Sequence, residues 1–470
     1  MTGATQRLSA IAARRAAGEI VGITSVCSAH PLVIEAALVG GKRRNADVLI
    51  EATCNQVNQD GGYTGMTPGD FRDFVLGIAG TVGFDPGRLV LGGDHLGPNP
   101  WKHLPADAAM DKALAMIESY ASAGFTKLHL DTSMGCAGEP VALADETTAA
   151  RAAALAERAE AAVQGDVRPV YVVGTEVPIP GGALEALDHL EVTGAEAARK
   201  TIDVHRRAFA DRGIAGAFER ALAIVVQPGV EFGNAEVVVY RAERARELSA
   251  VLATEKRFVF EAHSTDYQPG EALRALVRDG FAILKVGPAL TFALREALYG
   301  LSEIARILAP DPARPFLPEV MEAAMRASPG DWRKYYSGSE AELAMFRHCS
   351  LSDRIRYYWA DPTVRAAVDA LMAALGGREI PLPLVSQYLG RLHEGVAAGR
   401  ARAGGARAGA RQYRPRPGGL RFRDRECVRP VLQGGSAARP GRIAPLPRVA
   451  ERAVFSGCRL SVRSPNRHLT

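Results

Sequence analysis

Cysteine is sparse in this chain: six residues in 470, Cys27, Cys54, Cys136, Cys349, Cys427 and Cys458, with no CxxC pair. That spacing argues against a disulfide framework and a thiolate zinc site, and reduced thiols are expected. Long apolar runs are also missing, although hydrophobic residues make up 47% of the chain, so no transmembrane helix is expected. The amino-terminal segment MTGATQRLSAIAARRAAGEIVG lacks the continuous apolar stretch of a secretion signal. Its Ala and Arg spacing predicts an amphipathic helix ahead of the first strand, in a cytoplasmic protein. There is no GxxxxGK(S/T) loop and no GxGxxG between a strand and a helix, which argues against a P-loop kinase and a nicotinamide dehydrogenase. Lysine is absent from residues 401–470, where 16 Arg face 3 acids for a balance of +13. Because the whole chain carries +5, residues 1–400 carry −8. A nucleic-acid reading of the basic pI of 8.9 would therefore rest on the tail alone.

What is present is a repeat of short apolar runs that end in polar residues. In order these are GITSVCSAH (22–30), VLIEATCN (48–55), RLVLGGDHLG (88–97), FTKLHLDTS (125–133), VYVVGTE (170–176), AIVVQPGVEFG (223–233), FVFEAHSTD (258–266) and FAILKVGPAL (281–290). Strand-length runs separated by helix-length segments describe parallel strands buried on both faces. Eight such units predict an α/β fold of the TIM (β/α)8 barrel type, roughly 250 residues in typical size, with its active site at the carboxyl ends of the strands. Residues 66–83, 106–124, 144–165 and 235–254 have helical composition, and 183–221 has room for two helices. These readings set the barrel at 1–309 and a packed helical extension at 310–397, whose aromatics WRKYYSG and SLSDRIRYYW are expected to pack rather than bind. The segment 398–470, rich in Arg, Ala, Gly and Pro, cannot bury a core. It reads as disorder, as a basic arm, or, ranked first, as the translation of a shifted frame in a GC-rich gene.

The strand ends supply the candidate chemistry. Asp94 and His95 close the third strand between glycines, Glu176 closes the fifth, and Glu261, His263 and Asp266 follow from the seventh. Two histidines and a carboxylate converging on one mouth would satisfy a catalytic metal with an open position. An isolated histidine is more often a hydrogen-bonded core residue, but recurrence at strand ends favours function. In KLHLDTS, strand alternation turns Lys127, His129 and Asp131 the same way, which is costly unless they pair with one another or meet substrate. Glu51 and Asn55 stand at a strand end, followed by Asn58, Gln59 and Asp60 in a Gly-rich loop; the amides among them suit sugar hydroxyls, although turn chemistry explains Asp60 nearly as well. His30 and Gln227 complete the ring. After the last strand, Lys285 and Gly287 suit a phosphate held at a helix amino terminus, unless the Gly-Pro pair simply ends the strand. The loop GTEVPIPGGA (174–183) reads as a lid or substrate wall.

The segments VCSAHP, EATCNQVNQDGGYTGM, GGDHLGPNPW, KLHLDTSMGCAG, GTEVPIPGG, VVQPGVEFG, FEAHSTDYQ, ILKVGPALTFALREAL, SLSDRIRYYW and LPLVSQYL resemble the GatZ/KbaZ-like proteins associated with D-tagatose-1,6-bisphosphate aldolase, over about residues 8–395. The tail does not share the resemblance. The likeness implies a class II aldolase-like barrel in galactitol, tagatose or N-acetylgalactosamine catabolism that supports a separate catalytic aldolase subunit in an oligomer. Some similar proteins look like ketose or ketose 6-phosphate 4-epimerases. Older naming as tagatose 6-phosphate kinases is at odds with the missing nucleotide loop. The implied ligand is a ketose phosphate or bisphosphate, with no role for nucleic acid or membrane. Read from the strand ends and this chemistry, the expected roles are His95, Glu176 and His263 on a divalent metal such as zinc, Asp94 or Glu261 as base, Asn55, His129, Asp131 and Gln227 on substrate hydroxyls, and Asp266, Lys285 and Gly287 as further substrate contacts.

Overall fold

The computed structural model describes residues 3–175, 190–376 and 378–397. They divide into two compact units, one reaching Ala289 and the other starting at Leu290, where the sequence reading placed the barrel's end at 309. Glu176, most of the lid candidate and the tail 398–470 lie outside the described residues.

The first unit contains β1 (Ile23–Cys27), β2 (Val48–Thr53), β3 (Leu89–Leu96), β4 (Lys127–Leu130), β5 (Val170–Val173), β6 (Ala221–Val226), β7 (Glu231–Phe232), β8 (Val237–Val238), β9 (Val259–Ala262) and β10 (Phe281–Val286). Eight of them close a parallel barrel in the order β1-β10-β9-β6-β5-β4-β3-β2, and each expected run contributes one of these strands. The strands β7 and β8 form a separate antiparallel pair. This pair corrects the helix expected over 235–254, because Val237 and Val238 pair as strand and helix begins only at Arg246–Ala250. A run of β-branched residues favours an extended backbone when a partner is one tight connection away.

The floor of the barrel follows from strand periodicity. Helices Gly3–Ser9 and Ile11–Ala16 bury Ala4, Leu8, Ile11 and Ala12 against Leu49, Val90, Val170, Ala223, Val259 and Ile283. The spacing of those helical positions is the amphipathic pattern expected of the amino terminus. Burial of a Leu or Ile side chain is favourable by about 1.5–3 kcal/mol. Two residues further along the same inward faces stand Glu51, Gly92, Glu261 and Lys285. The interior thus changes from apolar floor to charged mouth within one strand repeat.

In the second unit the chain continues from helix Pro288–Leu308 through Leu317–Ala327, Glu340–Cys349, Pro362–Leu375, Leu382–Tyr388 and Gly390–Ala397. Trp332 and Tyr336 are buried and stacked 6.2 Å apart, with Trp332 Nε1 donating to the Met325 carbonyl at 2.6 Å. Those two aromatics pack, as expected. No described helix is long and apolar enough to cross a membrane.

Candidate active site

The lower level of the mouth is a buried ion cluster. Lys127 Nζ lies 2.7 Å from Glu51 Oε1 and 2.6 Å from Glu261 Oε2. Lys285 Nζ contacts Glu51 Oε2 and lies 2.8 Å from Asp94 Oδ1 and 3.7 Å from Glu261 Oε1. The inward Lys127 therefore pairs with Glu51 and Glu261, not with Asp131. Gly92 makes room for this level, since a Cβ there would stand 2.5 Å from Glu51 Oε1.

Above it stand Asp94, His95, His129, Asp131 and His263, all buried. Strand alternation would send consecutive residues Asp94 and His95 to opposite faces. The β3–β4 register slips between Gly93 and Leu96, and His95 takes a left-handed φ of 50°. This bulge turns both side chains inward at a strain cost of about 1 kcal/mol or more. Gly97 then passes so close to the Asp131 carbonyl that a Cβ would stand 1.7 Å from it.

The ring centroids of His95, His129 and His263 form a triangle with sides of 5.1, 4.9 and 5.1 Å. His95 Nδ1 lies 2.7 Å from Asp131 Oδ2, His129 Nδ1 2.8 Å from Asp94 Oδ1, and His263 Nε2 3.1 Å from Glu261 Oε1. Each imidazole is oriented through one nitrogen by a carboxylate, which places that nitrogen's proton on the shared bond. The His95 backbone N–H also points at His129 Nδ1, at 3.2 Å, but the carboxylate requires a proton on that nitrogen. His129 Nε2 is fully buried and has no hydrogen-bond partner among the described residues.

Burial pushes the Asp94 carboxyl up, but His95, Lys285 and the His129 hydrogen bond outweigh it and hold Asp94 well below the usual carboxylate range. The same opposition, with His95 as the main partner, brings Asp131 to about 2. Glu261 is likewise held low against burial by Lys127, Lys285 and His263. Burial lowers His263 to about 3 despite Glu261, whereas for His95 the two aspartates overcome burial and raise it.

These residues fit a divalent metal. One donor atom from each of Asp94, His95, His129 and His263 lies within 4.8 Å of the others. Imidazole nitrogens with a carboxylate suit zinc, and four carboxylates against two ammonium groups leave two negative charges when the imidazoles are neutral. His129, expected on a substrate hydroxyl, stands in this set beside His95 and His263.

The remaining candidates have other partners. Asp266 Oδ1 accepts the Gly287 N–H at 3.0 Å and the Ala289 N–H at 2.8 Å, so the helix start expected to hold phosphate holds a protein carboxylate. Lys285, expected beside that phosphate, is committed to carboxylates. Gln227 Oε1 closes its own turn by accepting from Gly229 and Val230 N–H, and His30 Nδ1 caps a helix by accepting from Leu32 N–H. Asn58 Oδ1 organises its loop through Asp60 and Gly62 N–H, while Gln59 reaches the Lys112 carbonyl and Asp60 pairs with Lys112. Asn55 is half-buried at the end of β2.

Two residues escaped the sequence reading. Cys27 Sγ lies 3.7 Å from Asp94 Oδ2, its thiol pushed well up by burial. Burial lifts Glu231 on β7 to about 7, against hydrogen bonds from Ser264 and the Phe232 N–H. The inward position of Cys27 on β1 was legible by alternation with Ser25; the fold of β7 was not.

Comparison with known proteins agrees with this architecture. The sequence profile of the family described as D-tagatose-1,6-bisphosphate aldolase subunit GatZ/KbaZ-like matches residues 8–407. A D-tagatose 6-phosphate 4-epimerase of Agrobacterium fabrum is 54% identical over 398 residues, 84% of this chain and 94% of that one. A D-tagatose-1,6-bisphosphate aldolase subunit GatZ of Escherichia coli is 51% identical over 399 residues, again 84% and 94%. A crystal structure from Sinorhizobium meliloti 1021, described as a "probable tagatose 6 phosphate kinase", superposes with a TM-score of 0.76 at 61% identity, covering 81% of this chain and 94% of that one.

Proposed function

The chain belongs to the D-tagatose-1,6-bisphosphate aldolase subunit GatZ/KbaZ-like family, and from that premise we propose that it is the component of a class II tagatose-bisphosphate aldolase that supports the activity and stability of a separate catalytic subunit. One observation carries the reading: the whole polar mouth lies inside residues 8–407, the stretch matched by that family. A second reading, a metal-dependent tagatose 6-phosphate 4-epimerase, is favoured by the unpartnered His129 Nε2, which an inert scaffold would not need.

Aldol cleavage and 4-epimerisation share one chemistry, and where this chain carries it out its own residues take the following parts. The C4 hydrogen of a 2-ketose is not acidified by the C2 carbonyl, but the C3–C4 bond is placed for retro-aldol cleavage once the C4 hydroxyl loses its proton. Asp94 is better placed than Glu261 to take that proton. Both Glu261 oxygens are held, by His263 at 3.1 Å and Lys127 at 2.6 Å. Asp94 Oδ2 has His95 Nε2 and Cys27 Sγ as polar neighbours, each at 3.7 Å, and neither holds it as tightly as Lys127 holds Glu261. The bonding electrons of C3–C4 then pass toward C2 as an enediolate, and C4 becomes an aldehyde. A zinc ion or similar divalent metal held by His95, His129 and His263 would polarise the C2 carbonyl. Releasing the aldehyde gives an aldolase; turning it over and closing the bond gives a 4-epimerase.

The test is to incubate the purified chain, with and without its aldolase partner and with Zn²⁺ or Mg²⁺, with tagatose 6-phosphate and the bisphosphate, and identify products by NMR. Cleavage of the bisphosphate raised by mixing the subunits supports the first reading. Turnover of tagatose 6-phosphate by the chain alone moves the assignment to the second. Neither result in either mixture ends both.

A further inference from the structure

The SLSDRIRYYW turn of the second unit, residues 350–359, contains a buried positive charge that no carboxylate among the described residues pairs with. Arg354 is 4% exposed, yet it pairs with no acid among the described residues. Its Nη1 donates to Tyr357 Oη at 3.2 Å, and its guanidinium carbon stacks 3.2 Å from the centre of the Tyr335 ring. Its Nε is buried without a hydrogen-bond partner, and no described residue accepts from Nη2. Nε and Nη2 form the edge with which arginine grips a planar or tetrahedral oxyanion in two parallel bonds. Arg356 comes to the same phenol, its Nη2 donating to Tyr357 Oη at 3.1 Å, so two guanidinium groups converge there.

The nearby acid does not relieve this charge. Asp353 Oδ2 accepts from Thr291 Oγ1 at 2.5 Å, while Oδ1 lies 3.8 Å from Arg295 Nε, an ion pair too long for a hydrogen bond, and neither of those two atoms has a hydrogen-bond partner among the described residues. Burial lifts the Asp353 carboxyl to about 6 in spite of Arg295 and Arg356, and burial together with Arg356 lowers Arg354. A buried guanidinium with one free edge, next to a second guanidinium and with no carboxylate on that edge among the described residues, is a poor stability element. It is a good receptor for an anion.

We propose that Arg354, with Arg356 beside it, forms a site in the second unit for a dianionic phosphoryl group, received on the free Nε–Nη2 edge of Arg354. The proposed function enters only in naming the carrier of that group, a ketose phosphate; inorganic phosphate tests the site by itself.

The full chain would be titrated by calorimetry with inorganic phosphate and, at equal ionic strength, with acetate. Arg354→Lys, which keeps the charge but loses the fork, and Arg356→Gln, at a half-buried position, would be titrated alongside. The expected result is saturable phosphate binding to the wild type that is weakened about tenfold or more in each variant, with acetate far weaker throughout. Absence of phosphate binding in the wild type overturns the proposal, as does equal binding of acetate. Undiminished phosphate affinity in Arg356→Gln overturns it too, even where Arg354→Lys fails to fold. Replacing phosphate by D-tagatose 6-phosphate and by unphosphorylated D-tagatose separates the two readings. Phosphate binding lost in the variants, with no gain from the sugar phosphate, supports the site and counts against the ketose.

Discussion

The barrel mouth and the Ser350–Trp359 turn both bury charge, but they resolve it in opposite ways. In the mouth, Lys127 and Lys285 are each surrounded by carboxylates, and Asp94, Asp131 and Glu261 are held below their ordinary range. In the turn, Arg354 has an aromatic face and a phenol where the lysines have acids, and Asp353 is pushed up to about 6. The excess is negative in the first region and positive in the second. A buried imbalance of charge costs stability unless a ligand completes it, so its sign indicates the kind of ligand to seek. The mouth suits a cation, and the turn suits an anion.

The comparison breaks most directly at Asp94. Asp94→Asn should lower turnover of tagatose 6-phosphate by the chain alone by about 10²–10⁴-fold, the usual contribution of a positioned acid or base. Unchanged turnover would remove Asp94 from the reaction. Lys127→Met should be the most destabilising of the changes considered, by about 3–5 kcal/mol in urea unfolding, because Glu51 and Glu261 would remain buried without their shared cation. Arg7→Ala, which removes a partly exposed pair with Asp47, supplies the contrast at about 0.2–1 kcal/mol. Equal effects at the two positions would mean that the central cluster is not held as a charged unit.

The cation assignment is sharpened by chelation. If a divalent ion occupies the histidine triangle at about 100 times its dissociation constant, removing it should cost about 2.7 kcal/mol in the wild type and almost nothing in His129→Ala. A wild-type unfolding midpoint unmoved by chelator would return the three histidines to the status of hydrogen-bonded core.

A pH dependence is expected in the second unit. Asp353 has a folded value of about 6, above its ordinary 3.8, so folding disfavours its ionised form. The unfolded chain releases this proton first, and the associated stability is present below about pH 4 and lost as pH rises toward 6. Asp353→Asn removes that loss. Relative to wild type, it should gain on the order of 2–3 kcal/mol between pH 4 and pH 7. A wild-type-minus-variant difference that stays flat with pH would show that Arg295 neutralises Asp353 fully, and the contrast between the two regions would weaken.

Much of the barrel was readable before any coordinates. Each of its strands is a short apolar run, and the intervening segments are long enough for the crossover that parallel pairing demands. Asp94, His95 and His263 were readable as strand-end residues. The place of His129 in the histidine triangle was not, because it depends on the slip between Gly93 and Leu96 that turns His95 toward it. Lys285 was assigned to phosphate because its sequence neighbours are Gly287 and a helix start. Its actual partner Glu51 is 234 positions away. Gln227 and His30 show the reverse, polar side chains at strand ends that are absorbed by backbone groups within three residues.

The order of residues determined which faces of which strands point inward, since alternation is a local property of extended backbone and needs no knowledge of the rest of the chain. It also determined that charged groups would follow apolar ones along those faces. Which charge meets which was decided only when the barrel closed, because the energy of a buried ion depends on every neighbour within a few ångströms, and those neighbours come from distant strands. The free edge of Arg354 belongs to the same class of fact: a sequence shows an arginine, and only the packed structure shows that no carboxylate among the described residues reaches it.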